Sequence, residues 1–164
     1  MIISDGVTTL GGSVFLGCEE LSYVKIPDSV VEIGGSCFGG CVKLTSAGEI
    51  GSGSSIEFGW KENIPEHAFT SNCLTEIKLP DSIKYLYASC FSTSKSLKSI
   101  VIPSNVKYID NNAFAYCPVL ESVYFEGHKP GYLSTMAFYG GNKLTAYYTY
   151  KDDSWIFCRK ILKM

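Results

Sequence analysis

Seven cysteines and two histidines are the residues of this chain whose types could bind a metal or attack a substrate. A structural zinc site needs four such ligands at short paired spacings, and a thiol nucleophile needs a neighbouring base and a lowered pKa. Cys37 and Cys41 have a ligand-like separation, but no other segment carries both thiols, and His67 and His128 fall on no matching position. The chain also has no Gly-rich phosphate loop followed by Lys, no His-Glu-x-x-His and no Gly-x-Ser-x-Gly elbow. The expectation is a protein with no catalytic residues, no metal and no cofactor.

The thiols follow a rhythm set by other residues. Phe15, Phe38, Phe69, Phe91, Phe114 and Phe138 recur with gaps of 23, 31, 22, 23 and 24 residues. Leu21, Leu44, Leu97, Leu120 and Leu144 follow six residues behind, and Leu74 five behind. Cys18, Cys41 and Cys117 lie three residues after a phenylalanine, Cys73 lies four after, Cys37 and Cys90 directly precede one, and Cys158 stands outside the pattern. Ala68, Ala113 and Ala137 fill the preceding position elsewhere, so that site takes a small apolar side chain and accepts Cys as one. Buried, inert thiols are expected. Periods of this length mark stacked units, each covering its neighbour's apolar face.

The bulk numbers fit one ordered domain: 164 residues, 46% hydrophobic and 18% charged. A net charge of -2 gives no field that would gather phosphates, so nucleic acid is not an expected partner. No apolar run approaches the roughly 18 residues of a bilayer span, and Met1-Ile2-Ile3-Ser4-Asp5 lacks the parts of a secretory signal.

The clearest unit runs from Ile102 through Pro103, Ser104, Val106, Ile109, Ala113, Phe114, Cys117 and Leu120 to Tyr124, and the stretches from Ile26 and Leu79 match it in register. Its Leu-x-x-Ile-x-Ile-Pro portion reads as a short strand stopped by proline. Val-x-x-Ile then sends two side chains inward across a bend, and small-Phe-x-x-Cys fits one tight helical or 3₁₀ turn. Like residues of successive coils should lie above one another, with the phenylalanines as a continuous buried ladder.

These residues resemble the BspA-type leucine-rich repeat family, whose pattern is similar to Ile-Pro-x-Ser-Val-x-x-Ile-Gly-x-x-Ala-Phe-x-x-Cys-x-x-Leu-x-x-Ile, over roughly residues 3 to 148. The resemblance implies a β-rich (α/β-type) right-handed leucine-rich-repeat solenoid of about six coils of ~23 residues, with a parallel sheet on one face and short helical or 3₁₀ turns. One domain, 1–164, would hold repeats at about 3–25, 26–48, 49–78, 79–101, 102–124 and 125–148, and a C-terminal cap at 149–164. The Gly/Ser-rich stretch near 47–55 absorbs the long interval and should bulge as a loop.

A solenoid without catalytic groups has its outer faces left for function. The residue after each central Ile or Val gives the row Lys25, Lys78, Val101, Tyr124 and Tyr148, and two positions earlier come Tyr23, Ser46, Glu76, Ser99, Ser122 and Ala146. Exposed tyrosines bring large contact area at low entropy cost, so Tyr124, Tyr148 and Val101, with Lys78, Lys25 and Tyr23 on the same face, form the candidate binding surface. Lys84-Tyr85 and Lys107-Tyr108 align one coil apart as a second strip, which Glu32 breaks in an earlier coil. The expected function is a noncatalytic protein-binding module that recognises a host or matrix protein. Family resemblance implies a cell-surface or extracellular, adhesin-like setting, although the chain's own sequence leaves the cytoplasm open. A structural spacer or stalk and a carbohydrate-binding module are the alternatives.

Overall fold

The structure, a computed structural model, describes residues 1–27, 29–47, 62–75, 77, 79–141 and 144–149. The Gly/Ser-rich stretch from 48 onward, Glu76, Lys78, Cys158 and the expected cap beyond Thr149 lie outside the described residues.

The strands are short. In chain order they are β1 (Thr9–Leu10), β2 (Tyr23–Val24), β3 (Glu32–Ile33), β4 (Ser46–Ala47), β5 (Asn63–Ile64), β6 (Tyr85–Leu86), β7 (Ser99–Ile102), β8 (Tyr108–Ile109), β9 (Ser122–Phe125), β10 (Tyr132–Leu133) and β11 (Thr145–Tyr148). Every pairing is parallel and joins strands one coil apart. One ladder comprises β7-β9-β11 and, in the first coils, β2-β4; the other comprises β5-β6-β8-β10 and, in the first coils, β1-β3. The expected single sheet is therefore two ladders. Each Val-x-x-Ile segment ends in a strand of its own, because Ile33, Ile64, Leu86, Ile109 and Leu133 must all turn inward and are buried there.

One continuous core fills the solenoid. The six phenylalanines stack in sequence, with ring centroids 5.2 Å apart from Phe15 to Phe38, 5.4 Å from Phe38 to Phe69, 5.6 Å from Phe69 to Phe91, 5.5 Å from Phe91 to Phe114 and 5.3 Å from Phe114 to Phe138. These five steps are the solenoid's about five turns. The 31-residue interval leaves the stacking distance unchanged.

The helical or 3₁₀ turn expected around each phenylalanine is not observed: no helix occurs among the described residues. Around Phe69 the amides bond alternately outward and backward. His67 donates to the Ala88 carbonyl of the next coil at 3.0 Å, Ala68 to Pro65 at 3.2 Å, Phe69 to Cys90 at 2.8 Å, Thr70 to His67 at 3.3 Å and Ser71 to Ser92 at 2.9 Å. Three of these five N–H groups, which a helix would use internally, thus bind a neighbouring coil. The backbone permits this by placing left-handed residues two positions before the phenylalanine, at Ser13, Ser36, His67, Ser89 and Asn112, and two after it, at Gly17, Gly40, Ser71, Thr93, Tyr116 and Gly140. A chain that enters the left-handed region this often cannot propagate a right-handed helix.

Candidate functional site

The thiols show what the inward columns require. Cys37, Cys41, Cys90 and Cys117 are fully buried, and burial pushes the Cys37 thiol up to about 12 and those of Cys41 and Cys117 up to about 11, with Cys90 shifted in the same direction. A thiol held neutral is neither a nucleophile nor a metal ligand. Cys18 and Cys73 depart from the expected burial: Cys18 is exposed on the first coil and Cys73 is half-buried.

Cys73 misses its column because Asn72, three residues after Phe69, occupies it and is fully buried, as is Ser94 one coil later. The column selects a donor. Asn72 Nδ2 bonds the Phe69 carbonyl, Ser94 Oγ bonds that of Phe91 at 2.7 Å, Cys41 Sγ reaches that of Phe15 at 3.2 Å and Cys117 Sγ that of Phe91 at 3.4 Å. Cys, Asn and Ser share the column because each is small and offers a donor to a phenylalanine carbonyl, Asn72 and Ser94 within their own coil and Cys41 and Cys117 to the coil before. Among the described residues no three His, Cys, Asp or Glu side chains form a metal-binding group.

The outer faces carry the remaining candidates. In the ladder of β7, β9 and β11, Ile100, Val123 and Ala146 point inward, and Val101, Tyr124 and Tyr147 register with one another on the outside. Their exposures are 41%, 41% and 48%, and the rings of Tyr124 and Tyr147 stack at 4.7 Å with 11° between planes. Tyr147 thus takes the place expected of Tyr148. Counting from Leu144 puts Tyr148 beside Tyr124, but the structure pairs Tyr148 with Phe125, half-buried against the core. The segment from Phe138 to β11 is one residue shorter than its counterpart, and a one-residue slip exchanges the two faces of a strand. The slip also replaces Ala146 by Thr145 in the row with Ser99 and Ser122, and it brings the small Ala146 into the inward column of Val123.

Lys25 and Tyr23 lie on the same type of ladder near the other end of the solenoid. Lys25 bridges Ile2, and half-buried Tyr23 pairs with Ser46. They do not adjoin the tyrosine pair.

The second strip is larger than its sequence signal. Tyr85, Tyr108 and Tyr132 register across β6, β8 and β10, and Tyr87 joins them, with its centroid 6.2 Å from Tyr85 and 6.3 Å from Tyr108. Tyr108 and Tyr132 stack at 4.6 Å. Desolvation and the neighbouring Asp110 carboxylate raise the phenol pKa of Tyr108. Lys84 is paired with Glu62, which removes half of the basic character expected of the strip. The signal for Tyr87 and Tyr132 was present in the alternation of β6 and in the register of β10. It was obscured because Gly131 replaces the lysine of the neighbouring coils.

The family model for the BspA type leucine rich repeat region matches in six copies over residues 1–58 and 62–154. Among solved structures, a leucine-rich repeat protein from Bacteroides ovatus is 30% identical over 84% of this chain, with a TM-score of 0.69. The T. pallidum leucine rich repeat protein is 29% identical over 92% of this chain, with a TM-score of 0.75, and the pneumococcal vaccine antigen PcpA is 22% identical over 93%, with 0.71. The chain spans 34% of the Bacteroides protein, 69% of the T. pallidum protein and 36% of the pneumococcal antigen. No curated protein matches it.

Proposed function

The chain belongs to the BspA-type leucine-rich repeat family, and from that premise we propose that it is a noncatalytic protein-binding module whose contact surface is the outward row of Val101, Tyr124 and Tyr147. The observation that carries this reading is the stacked, roughly half-exposed tyrosine pair beside an exposed valine on adjoining strands. Rigid aromatic side chains that are already ordered lose little freedom when a partner covers them. Stacking also favours protein over sugar. Each ring turns one face to the other, so hydroxyl rims and a single outer face remain where a sugar would need a broad open platform. Membership of this repeat family supports a protein partner, and we take that partner to be a host or matrix protein met in a cell-surface or extracellular setting.

The test is binding of the full chain to a panel of host matrix proteins, repeated with Tyr124→Ser and Tyr147→Ser together. Contact tyrosines of this kind contribute about 2 kcal/mol each, or about 30-fold in affinity apiece. A folded double variant that binds as tightly as the wild type rejects the row. A wild type that binds nothing on the panel, but whose removal shortens the reach of a parent protein, favours the spacer.

A further inference from the structure

The tyrosine strip centred on β6 and β8 lies inside its ladder, with β5 paired on one side and β10 on the other, and its two rims differ in charge. On β8 the order along the chain is exposed Lys107, half-buried Tyr108, buried Ile109 and half-buried Asp110. On the coil before, it is Lys84, Tyr85, buried Leu86 and Tyr87. The inward pull of Leu86 and Ile109 turns their neighbours outward. The ladder keeps the two coils in register: Tyr85 pairs with Tyr108 and Leu86 with Ile109, the Lys107 N–H donates to the Lys84 carbonyl at 2.8 Å and the Asp110 N–H to that of Leu86 at 2.9 Å. One rim is therefore lysine, the centre is aromatic, and the other rim carries Asp110.

The two charges of β8 are both unanswered. Glu62 pairs with Lys84, but Lys107 has no ion-pair partner among the described residues. Asp110 Oδ1 accepts the Asn111 N–H at 2.6 Å and meets no cation among them. Lys107 and Asp110 sit about 10 Å apart along one strand, with Tyr108 between them. The rings of Tyr85, Tyr87 and Tyr108 form a continuous patch in that interval, with centroids 6.2, 6.3 and 6.5 Å apart. An ordered aromatic centre inside a charged rim is the composition of a protein contact surface.

We propose that this strip is a twofold contact between two copies of the chain, with the symmetry axis parallel to the solenoid axis. Rotation about that axis reverses the strand direction and sets each coil opposite its own counterpart. Lys107 of each copy then meets Asp110 of the other, so both unanswered charges are paired, and the tyrosines between them interdigitate with those of the second copy. One coil away Lys84 meets the ring of Tyr87 of the second copy, a cation over an aromatic face. On the coil of β10 the positions that meet are Gly131 and buried Ser134, which leave room for the two backbones to approach. A twofold axis along the strands would set the lysine rim against itself, and a partner of one charge sign would leave one rim unanswered; the order of charges selects self-association about the solenoid axis. The contact closes on itself, is small and transient, and leaves the Val101, Tyr124 and Tyr147 row on the other ladder free.

Sedimentation equilibrium of the full chain up to about 1 mM, the range of weak contacts, tests this. The average mass should rise with concentration and level off at twice 18.0 kDa. Lys107→Glu and Asp110→Lys each turn both attractive pairs into repulsive ones and should each weaken the dimer about 10-fold or more. In an equimolar mixture of these two proteins the reversed charges meet each other and the native charges meet each other, so the mixture should recover a 1:1 dimer that neither variant forms alone. A wild type that stays at 18.0 kDa overturns the proposal, as does a mass that climbs past the dimer, a dimer that survives both variants, or a mixture of two variants with wild-type melting temperatures that stays monomeric. Should Asp110→Lys fail to fold, Tyr87→Lys, at a position 39% exposed, sets a lysine against Lys84 of the second copy and should abolish the dimer; wild-type association of that protein overturns the proposal equally.

Discussion

Replacing Phe91 with Ala tests the phenylalanine column most directly. The ring is fully buried and stacks on Phe69 at 5.6 Å and on Phe114 at 5.5 Å. Its removal loses the transfer free energy of the ring and leaves a cavity that two flanking coils, held by their own backbone bonds, can only partly close. The cost should be about 4 kcal/mol, within the range for buried Phe→Ala. Phe15 supplies the internal comparison. It is half-buried and stacks on one ring, at 5.2 Å, so Phe15→Ala should cost about half as much. For a chain of this size, 4 kcal/mol corresponds to about 8–16 °C in Tm. Urea unfolding followed by circular dichroism reads the same difference as an earlier midpoint at unchanged slope. Equal losses at Phe15 and Phe91, or a loss below about 1 kcal/mol at Phe91, would refute a column in which each ring depends on two neighbours.

Other expectations follow from the same geometry. Asn72→Ala leaves the Phe69 carbonyl and the Leu74 N–H without their buried partner and should cost about 1–3 kcal/mol, whereas Ser94→Cys should cost less than about 1 kcal/mol, because Cys already serves in that column; denaturant titration distinguishes the two. The buried thiols have folded pKa values above the unfolded value, so their contribution is complete below about pH 8.5 and is lost as pH rises toward 11 to 12. Each thiol then costs up to about 1.4 kcal/mol per pH unit, and Cys37→Ala with Cys90→Ala should flatten the decline measured by unfolding at pH 8 to 11. Gly34→Ala should unfold or strongly destabilise the protein, since a methyl group there would collide with the backbone of Gly12, while Gly11→Ala, which meets open space, should leave the melting temperature nearly unchanged.

The core columns were legible in the sequence because burial restricts them. Phe, Leu and the small residue before Phe recur wherever a coil must be covered, and the Phe91 ring lies where its spacing puts it. Backbone conformation was less legible. Glycine at 17, 40 and 140 signals a left-handed position, but Ser36, Ser89 and Thr93 adopt the same conformation without such a signal, and so the turns read as helical. The outward row of Val101, Tyr124 and Tyr147 was legible only to within one residue. Tyr147 and Tyr148 are identical in type, and no residue type between Phe138 and β11 announces the shorter segment; only the inward demand for Ala146 decides which ring faces out. Asn72 was passed over for the same kind of reason. Cys73 matches the repeat by identity, while Asn72 matches it by what it donates to.

Phe38 and Phe69 are as closely stacked as any other neighbours although eight more residues separate them than separate Phe15 from Phe38. Chain length between Ala47 and Glu62 is thus decoupled from the geometry of the coils on either side. A foreign peptide spliced into that interval, an epitope or a recognition sequence, should therefore leave the ring-to-ring step on either side unchanged.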